Sequence, residues 1–123
     1  MKNHYKGEIG NGSCGKSITA IVSPSIPINK AGSLEVTFYH DYFFSSQTDG
    51  GLFFYRVNSG EWKHVEDFSL WNDIPNCVLE GNSPFAGKTA FCVEGKRSLT
   101  RALPIELKSA ASVQFAFGLA TAS

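Results

Sequence analysis

The sequence predicts an all-β protein, an antiparallel two-sheet β-sandwich of jelly-roll-like type. Helical signals are nearly absent, because 12 glycines and 5 prolines are scattered along the chain and no window shows the i, i+3, i+4, i+7 spacing of an amphipathic helix. About seven or eight short strand patterns occur instead, with turn residues between them and no alternation of strand and helix. The 123 residues suffice for one core, so residues 1–123 are expected to form a single domain.

The first strand patterns lie in the N-terminal third of the chain. Two weak ones are Ser17–Val22 and Ser25–Ile28, and the prolines of the second predict an edge strand. A clearer pattern, Ser33–His40, alternates between two sets of residues. One face holds Leu34, Val36, Phe38 and His40, and the other holds Glu35, Thr37 and Tyr39. This period of two predicts a strand with one buried face.

A β-hairpin is predicted in the middle of the chain. Gly51–Val57 is apolar on both faces, Asn58-Ser59-Gly60 supplies turn residues, and Glu61–Val65 returns. A glycine in so short a loop is typical of a turn that needs a positive φ angle. Gly60 is therefore expected to provide that angle.

Three further strand patterns follow a long irregular stretch. Glu66–Lys88 holds prolines, glycines and aromatic residues, and a loop of this length is usually functional or held by its own packed side chains. Strand patterns resume at Thr89–Val93, Ser98–Leu103 and Ser112–Leu119. The last pattern predicts a continuous inward row made of Val113, Phe115, Phe117 and Leu119.

The order of these motifs resembles that of a known domain family. The motifs are Ser23–Ile28, Ser33–His40, Thr48–Gly51 leading into a strand, Ser59–Val65, Phe85–Phe91 and Ser112–Phe117. Over residues 20–120 this order resembles the MAM-like jelly-roll domains, which are accessory modules of bacterial secreted proteins such as immune-inhibitor-A-type metalloproteases. The resemblance implies a non-catalytic module for adhesion, substrate docking or protein–protein contact, and an extracellular location. It also implies a structural calcium ion near the Asp-Gly-Gly turn as an alternative to no cofactor.

One departure from the family pattern concerns the end of the sheet. Members continue past the strand matched by Val113–Leu119 into an acidic turn and a final strand of the type Gly-Trp-x-Ile-Asp-Asp-Ile, whereas this sequence ends at Ala120–Ser123. Either the chain lacks the family's final strand, or its sheet has an unfilled edge. Because an unpaired edge invites another strand, we expect a homodimer formed by edge pairing or strand exchange.

Charge and hydropathy narrow the classes of partner. Eleven Lys and Arg residues balance eleven Asp and Glu residues, whereas a general nucleic-acid binder needs a basic surplus. No polybasic segment favours a membrane surface, and no apolar run approaches the roughly 18 residues of a membrane-spanning helix. The first residues, Met1–Glu8, lack the apolar core of a secretory signal. We therefore expect neither nucleic-acid binding nor membrane insertion.

The three cysteines, Cys14, Cys77 and Cys92, form no zinc-binding pattern. The favoured interpretation is three reduced and mostly buried thiols. The alternative is one disulfide and one free thiol, with Cys77 and Cys92 as the pair because they flank one long loop.

No constellation of residues indicates an enzyme. His40 precedes Asp41, but no nucleophile motif accompanies them, so a structural histidine is favoured. His64 is expected on the strand surface or edge. Solvated carboxylates are favoured over a calcium site, because no spacing fixes the six to eight oxygens that calcium needs. The acidic residues concerned are Asp41, Asp49, Glu66, Asp67 and Asp73.

Aromatic residues exceed what one small core face needs. The set is Tyr39, Tyr42, Phe43, Phe44, Phe53, Tyr55, Trp62, Phe68 and Trp71. Such rings stack sugars, form an apolar protein interface or cover the core under the long loop. The predicted ligand site is Trp71 with Tyr42, Asn72 and Asp73, because Trp71 lies in mid-loop beside polar groups suited to hydroxyls. The predicted function is a non-catalytic binding module, with protein–protein contact or self-association ranked above carbohydrate binding.

Overall fold

The computed structural model describes residues 5–10, 17–43, 49–66, 68, 75–80, 85–92 and 94–120. The strands in these ranges are β1 (Tyr5–Gly10), β2 (Ser17–Val22), β3 (Ile26–Ile28), β4 (Gly32–Phe43), β5 (Gly50–Val57), β6 (Lys63–Val65), β7 (Cys77–Val78), β8 (Thr89–Ala90), β9 (Glu94–Leu107) and β10 (Ala111–Ala120). No helix occurs in the described part, so the all-β prediction is confirmed. None of the described residues accordingly forms a helix able to cross a membrane.

Six strands form a central sheet. Its order is β1-β2-β10-β5-β6, with β3 also paired to β10, and every pairing is antiparallel. β5 pairs with one edge of β10, and β2 and β3 share the other edge. In the described part β3 pairs with β10 alone, as expected for a proline-containing edge strand. Two further antiparallel pairs are β4–β9 and β7–β8.

The β4–β9 pair packs against one face of the central sheet. The Phe38 ring of β4 lies 4.8 Å from the Phe53 ring of β5, measured between centroids. Ile105 and Leu107 of β9 pack with Val113 of β10. Two antiparallel sheets packed in this way are consistent with the predicted sandwich. The jelly-roll connectivity stays a prediction.

The opposite face of the central sheet is covered by a strap, which we define as residues 75–80 and 85–92. The Phe91 ring of the strap lies instead on the β4 side, where it packs with Phe53 and Phe117. Leu79 and Phe85 of the strap pack against Leu52 and Phe54 of β5. The Leu79 N–H donates to the Lys88 carbonyl oxygen at 3.0 Å. The parts of the predicted long loop that belong to the strap are therefore held by their own packed side chains.

A disulfide joins Cys77 and Cys92 within the strap, and their Cα atoms lie 5.9 Å apart. The Cys92 N–H donates to Asn76 Oδ1 at 2.7 Å. The interpretation of three reduced thiols is therefore wrong for these two residues. The pairing of β7 with β8 places Cys77 opposite Ala90, which brings the two cysteines within bonding reach. Cys14 lies outside the described residues.

The alternation predicted for the first clear strand is confirmed as far as Phe38. Leu34, Val36 and Phe38 are half-buried, while the residues between them are exposed. The side chain of His40 lies outside the described residues. The apolar face of β4 thus follows from the period of two in the sequence.

The β5–β6 hairpin is confirmed, but its turn takes the positive φ angles at other residues. Asn58 and Ser59 have φ angles of 51° and 61°, and the Gly60 N–H donates to the Val57 carbonyl oxygen at 2.9 Å. The expectation for Gly60 is therefore wrong. Left-handed angles at both central residues match the twist of a hairpin, and Asn58 is fixed there because its Oδ1 accepts the Ser112 N–H at 2.9 Å.

The structure of β10 corrects two expectations. Leu119 is 50% exposed, so the inward row ends at Phe117. Ala116 and Ala120 of the other face are buried, because the strap covers that face as well. β10 also has neighbours along both edges, so no unfilled edge lies at Val113–Leu119, and the expected homodimer stays a prediction. Among the described residues the central sheet ends at β1 and β6.

Gly51→Ala should destabilise the fold by about 1–3 kcal/mol, the usual cost of overpacking. A Cβ atom at Gly51 would lie 2.5 Å from Cε1 of Phe117, so the ring would have to move. Urea unfolding of Gly51→Ala, Phe117→Leu and the double variant measures the coupling between the two sites. We expect the double variant to lose less stability than the two single variants added together. Additive losses would contradict a tight contact between the ring and Gly51.

Candidate functional site

An apolar cleft of about 300 Å³ opens between β4 and the central sheet. Its lining residues are Ile21, Ser23, Ile26, Val36, Phe38, Phe53, Phe115, Ala116 and Phe117. β4 supplies Val36 and Phe38, and the central sheet and its β2–β3 connection supply the others. Eight of these nine residues are apolar, and none carries an ionisable side chain.

The strand register brings the central-sheet side of the cleft together. Ile21 of β2 and Phe53 of β5 both lie opposite Phe117 of β10. Opposed residues of antiparallel strands project from the same face of a sheet. Ile26 of β3 lies opposite Val113, which is on that same face of β10 because residues two apart share a face. An apolar surface therefore extends across these strands.

Aromatic rings line the inner part of the cleft. The Phe53 and Phe115 rings are stacked, with centroids 5.8 Å apart and planes inclined by 7°. The Phe38 ring contacts Phe53 and lies edge-on to Phe117 at 6.1 Å between centroids. Packed rings of this kind hold one another in a defined arrangement. The shape of the cleft is therefore set by core packing.

The mouth of the cleft is apolar and open to water. Ile21 is 53% exposed and Ile26 is 39% exposed. Leu119, which is half exposed, lies on the same face of β10 as Phe117. We call Ile21 and Ile26, the exposed residues that line the cleft, the rim. Single exposed apolar residues are ordinary, but a group of them beside a cavity is typical of a binding surface.

Ser23 connects β2 to β3 and fixes the positions of the two rim isoleucines. Its N–H donates to the Phe115 carbonyl oxygen at 2.8 Å, and its hydroxyl accepts the Phe115 N–H at 2.9 Å. The hydroxyl also donates to the Pro24 carbonyl oxygen at 3.0 Å. The one polar side chain that lines the cleft is therefore already hydrogen-bonded, so the cleft offers an apolar surface to a ligand.

No family model, curated protein or solved structure matches the chain. The resemblance to MAM-like jelly-roll domains therefore stays an expectation drawn from the order of motifs. The adhesive role, the extracellular location and the calcium ion that it implies stay expectations as well.

The predicted ligand site lies almost entirely outside the described residues. Trp71, Asn72 and Asp73 fall there. Tyr42 is described by its backbone position, which lies in β4 opposite Gly95 of β9. The glycan site and the carbohydrate-binding alternative accordingly stay predictions.

The described side chains of the aromatic set belong to the core or its margin. Phe53 and Phe68 are buried, and Tyr55 and Trp62 are half-buried. The Arg56 guanidinium lies 4.5 Å from the centroid of the Trp62 ring. For these residues the structure supports the interpretation that aromatics cover the core. Across the described ranges, no group of three or more His, Cys, Asp or Glu residues is arranged to hold a metal ion.

His64 lies on the edge strand β6, as one part of the expectation had it, but its side chain is not exposed, because the strap covers its side of β6. Its side chain is 11% exposed, and its ring lies 5.4 Å from that of Phe54 and 6.2 Å from that of Phe85. Glu66 Oε1 lies 3.5 Å from His64 Nδ1 and accepts the N–H and the hydroxyl of Thr89 at 3.4 and 3.3 Å. This cluster connects the hairpin to the strap.

Burial is the main influence on the pKa of His64. It lowers the pKa from the ordinary value of 6.5, because the charged imidazolium loses hydration. Glu66 raises the pKa, Lys88 lowers it and a backbone hydrogen bond at Thr89 raises it. The net direction is downward, so the folded chain favours the neutral imidazole.

Acidification should destabilise the fold through His64. Because its pKa is lower in the folded chain, the unfolded chain binds the proton first as the pH falls. This part of the stability is complete above about pH 6.5 and is lost as the pH falls through the folded pKa. Urea unfolding of the wild type and of His64→Leu between about pH 8 and pH 5 measures it. The wild type should lose stability relative to the variant on acidification, and a constant difference would contradict this.

The lining of the cleft was missed by sequence reasoning, although parts of it were visible there. The alternation of Val36 with Phe38 and of Phe115 with Phe117 predicted two apolar faces. The pairing of Ile21 with Phe117 had no local signal, because the two residues come from opposite ends of the chain.

Proposed function

We propose that the chain is a non-catalytic binding module that contacts a protein partner, with the apolar cleft receiving an apolar side chain of that partner. The observation that supports this function is the cleft itself, a space of about 300 Å³ lined by apolar residues and open to water at an apolar rim. Concave apolar sites of this kind are the usual form of ligand and anchor pockets.

The size of the cleft suits one large side chain. Its volume lies at the small end of the range for pockets that hold drug-sized ligands. A buried aromatic side chain removes about 150–250 Å² from water, which at about 25 cal/mol per Å² contributes roughly 4–6 kcal/mol. Association itself costs about 4–15 kcal/mol. One anchor is therefore insufficient, and the complex needs the further apolar contact that the rim offers.

The lining favours an uncharged group of the partner. A charge or polar group placed among Phe38, Phe53 and Phe117 would lose its hydration without gaining a hydrogen-bond partner. The side chains of Leu, Ile, Met and Phe carry no such group. Leu119 and Ile21 extend the apolar surface beyond the cavity, which favours a macromolecular partner over a small molecule that fits inside.

Toluene, which has the shape of a phenylalanine side chain, is the first probe of the cleft. We expect saturable changes in the methyl NMR signals of Ile21, Ile26 and Val36 when toluene is added. Ile21→Glu should weaken toluene binding about tenfold, or roughly 1.4 kcal/mol, because it places a charge at the mouth.

Val78→Glu is the matched control for this experiment. Val78 is 51% exposed but lies in β7 of the strap, on the other side of the central sheet. The Val78→Glu variant should bind toluene like the wild type. The free energy of unfolding of both variants should stay within about 0.5 kcal/mol of the wild-type value. Equal weakening by the two variants, or signal changes spread over the whole surface, would contradict a site in the cleft.

Peptides distinguish a protein partner from a free hydrocarbon ligand. Fluorescence anisotropy compares labelled peptides of one constant polar sequence. The peptides differ only at the central position, which is Leu, Phe, Trp or Asp. We expect the apolar-centred peptides to bind more tightly than the Asp-centred peptide, and Ile21→Glu to remove the difference. Toluene binding without any binding of peptides would contradict a contact with a protein partner and would indicate a site for small apolar molecules.

A further inference from the structure

We infer that β1 is a self-complementary edge, through which two copies of the chain join their central sheets into one. Among the described residues β1 (Tyr5–Gly10) pairs with β2 alone. Within the described part of the chain the backbone N–H and carbonyl groups on its other side have no strand partner, and such groups can pair with a further strand. A second copy meets this edge in antiparallel orientation when a two-fold axis stands perpendicular to the sheet.

Charge determines the register of the two β1 strands. The two-fold axis passes beside one residue, which then lies opposite its own copy. With Gly7 at the axis, Lys6 lies opposite Glu8 of the second copy, and Tyr5 lies opposite Ile9 of the second copy. The two-fold axis repeats both pairs, so residues of unlike charge stand at directly opposed positions twice. Unlike charges at directly opposed positions stabilise a sheet.

The neighbouring registers are less favourable. An axis at Lys6 or at Glu8 places like charges directly opposite each other, which destabilises a sheet. Among the described residues of β1, an axis at Ile9 pairs only the stretch from Glu8 to Gly10 with its copy. The register with Gly7 at the axis is thus favoured by both charge and overlap.

Lysine on an edge strand normally discourages pairing with other chains. In β1, Lys6 and Glu8 lie opposite Ile21 and Thr19 of β2, so they occupy the same face of the sheet two positions apart. A strand without the complementary order of charges gains no such pairs. The edge therefore discriminates against unrelated strands and fits its own copy.

The joined sheet would present both clefts on one side, because a two-fold axis perpendicular to a sheet preserves its faces. The two β2 strands would lie three strand spacings apart, about 14 Å. A partner with two apolar anchors would then engage both clefts and gain apparent affinity. This consequence rests on the proposed function of the cleft, whereas the pairing of β1 does not.

Sedimentation equilibrium tests the pairing. The wild-type chain should approach twice its mass of 13.4 kDa as its concentration rises. Lys6→Glu and Glu8→Lys each place like charges at both opposed positions, and each should remain a monomer. The double variant Lys6→Glu/Glu8→Lys should dimerise again. Mixing the two single variants should also restore a dimer, because their opposed charges are then unlike.

The matched control is Lys63→Glu, the same change on the opposite edge strand β6, which should leave the dimer intact. Circular dichroism and toluene binding show that each variant keeps its fold and its cleft. A wild type that stays monomeric up to about 1 mM, dimers that persist in both single variants, or a mixture that stays monomeric would overturn the inference. Because Lys6→Glu should still bind toluene, failure of the edge and failure of the cleft are distinguishable.

Discussion

Strands β5 and β10 lie side by side with apolar residues on both of their faces. The placement of the other elements follows from the need to shield both of these faces from water. Phe53 and Phe115 project towards β4, whereas Leu52, Phe54 and Ala116 project towards the strap. Each exposed face would cost about 25 cal/mol per Å² of apolar area, so a layer is needed on each side. The strap has only the short strands β7 and β8. Its disulfide closes a separation of 15 residues, which contributes about 3 kcal/mol through the unfolded chain.

The cleft follows from a mismatch in width between the two packed layers. The central sheet is five strands across, about 24 Å at 4.8 Å per strand, and the β4–β9 pair is about 10 Å wide. The pair covers β5 and part of β10, and the apolar face at β2 and β3 stays partly open. Ile21 and Ile26 are therefore exposed for a structural reason. A fold that shields a wide sheet with a narrow one leaves apolar surface at the margin, and here that surface has a cavity beneath it.

The cleft and the β1 edge use different chemistry and lie on different parts of the central sheet. The proposed contact at the cleft is a face contact, in which removal of apolar area from water would supply the affinity and the lining would exclude charge. The inferred contact at the β1 edge is a strand contact, in which backbone hydrogen bonds would supply the affinity and the order of charges would select the partner. The strap with His64 covers the remaining face, and only its Phe91 ring packs with Phe117 on the cleft side among the described residues. The contacts of Glu66 with His64 and Thr89 connect the hairpin to the strap, while the cleft stays open to water at Ile21 and Ile26.

The sequence by itself determined the elements whose signal is local. The period of two in Leu34, Val36 and Phe38 marked the buried face of β4, and Asn58-Ser59-Gly60 marked the hairpin, because side-chain alternation and turn chemistry act within a few residues. Tertiary structure decided what depends on contacts between distant segments. Both faces of β10 are covered, Cys77 meets Cys92, and Ile21 lies beside Phe117 to form the cleft. An apolar run has the same local pattern whether one layer or two will cover it, so only the packing of the layers determines which apolar residues become core and which form a site.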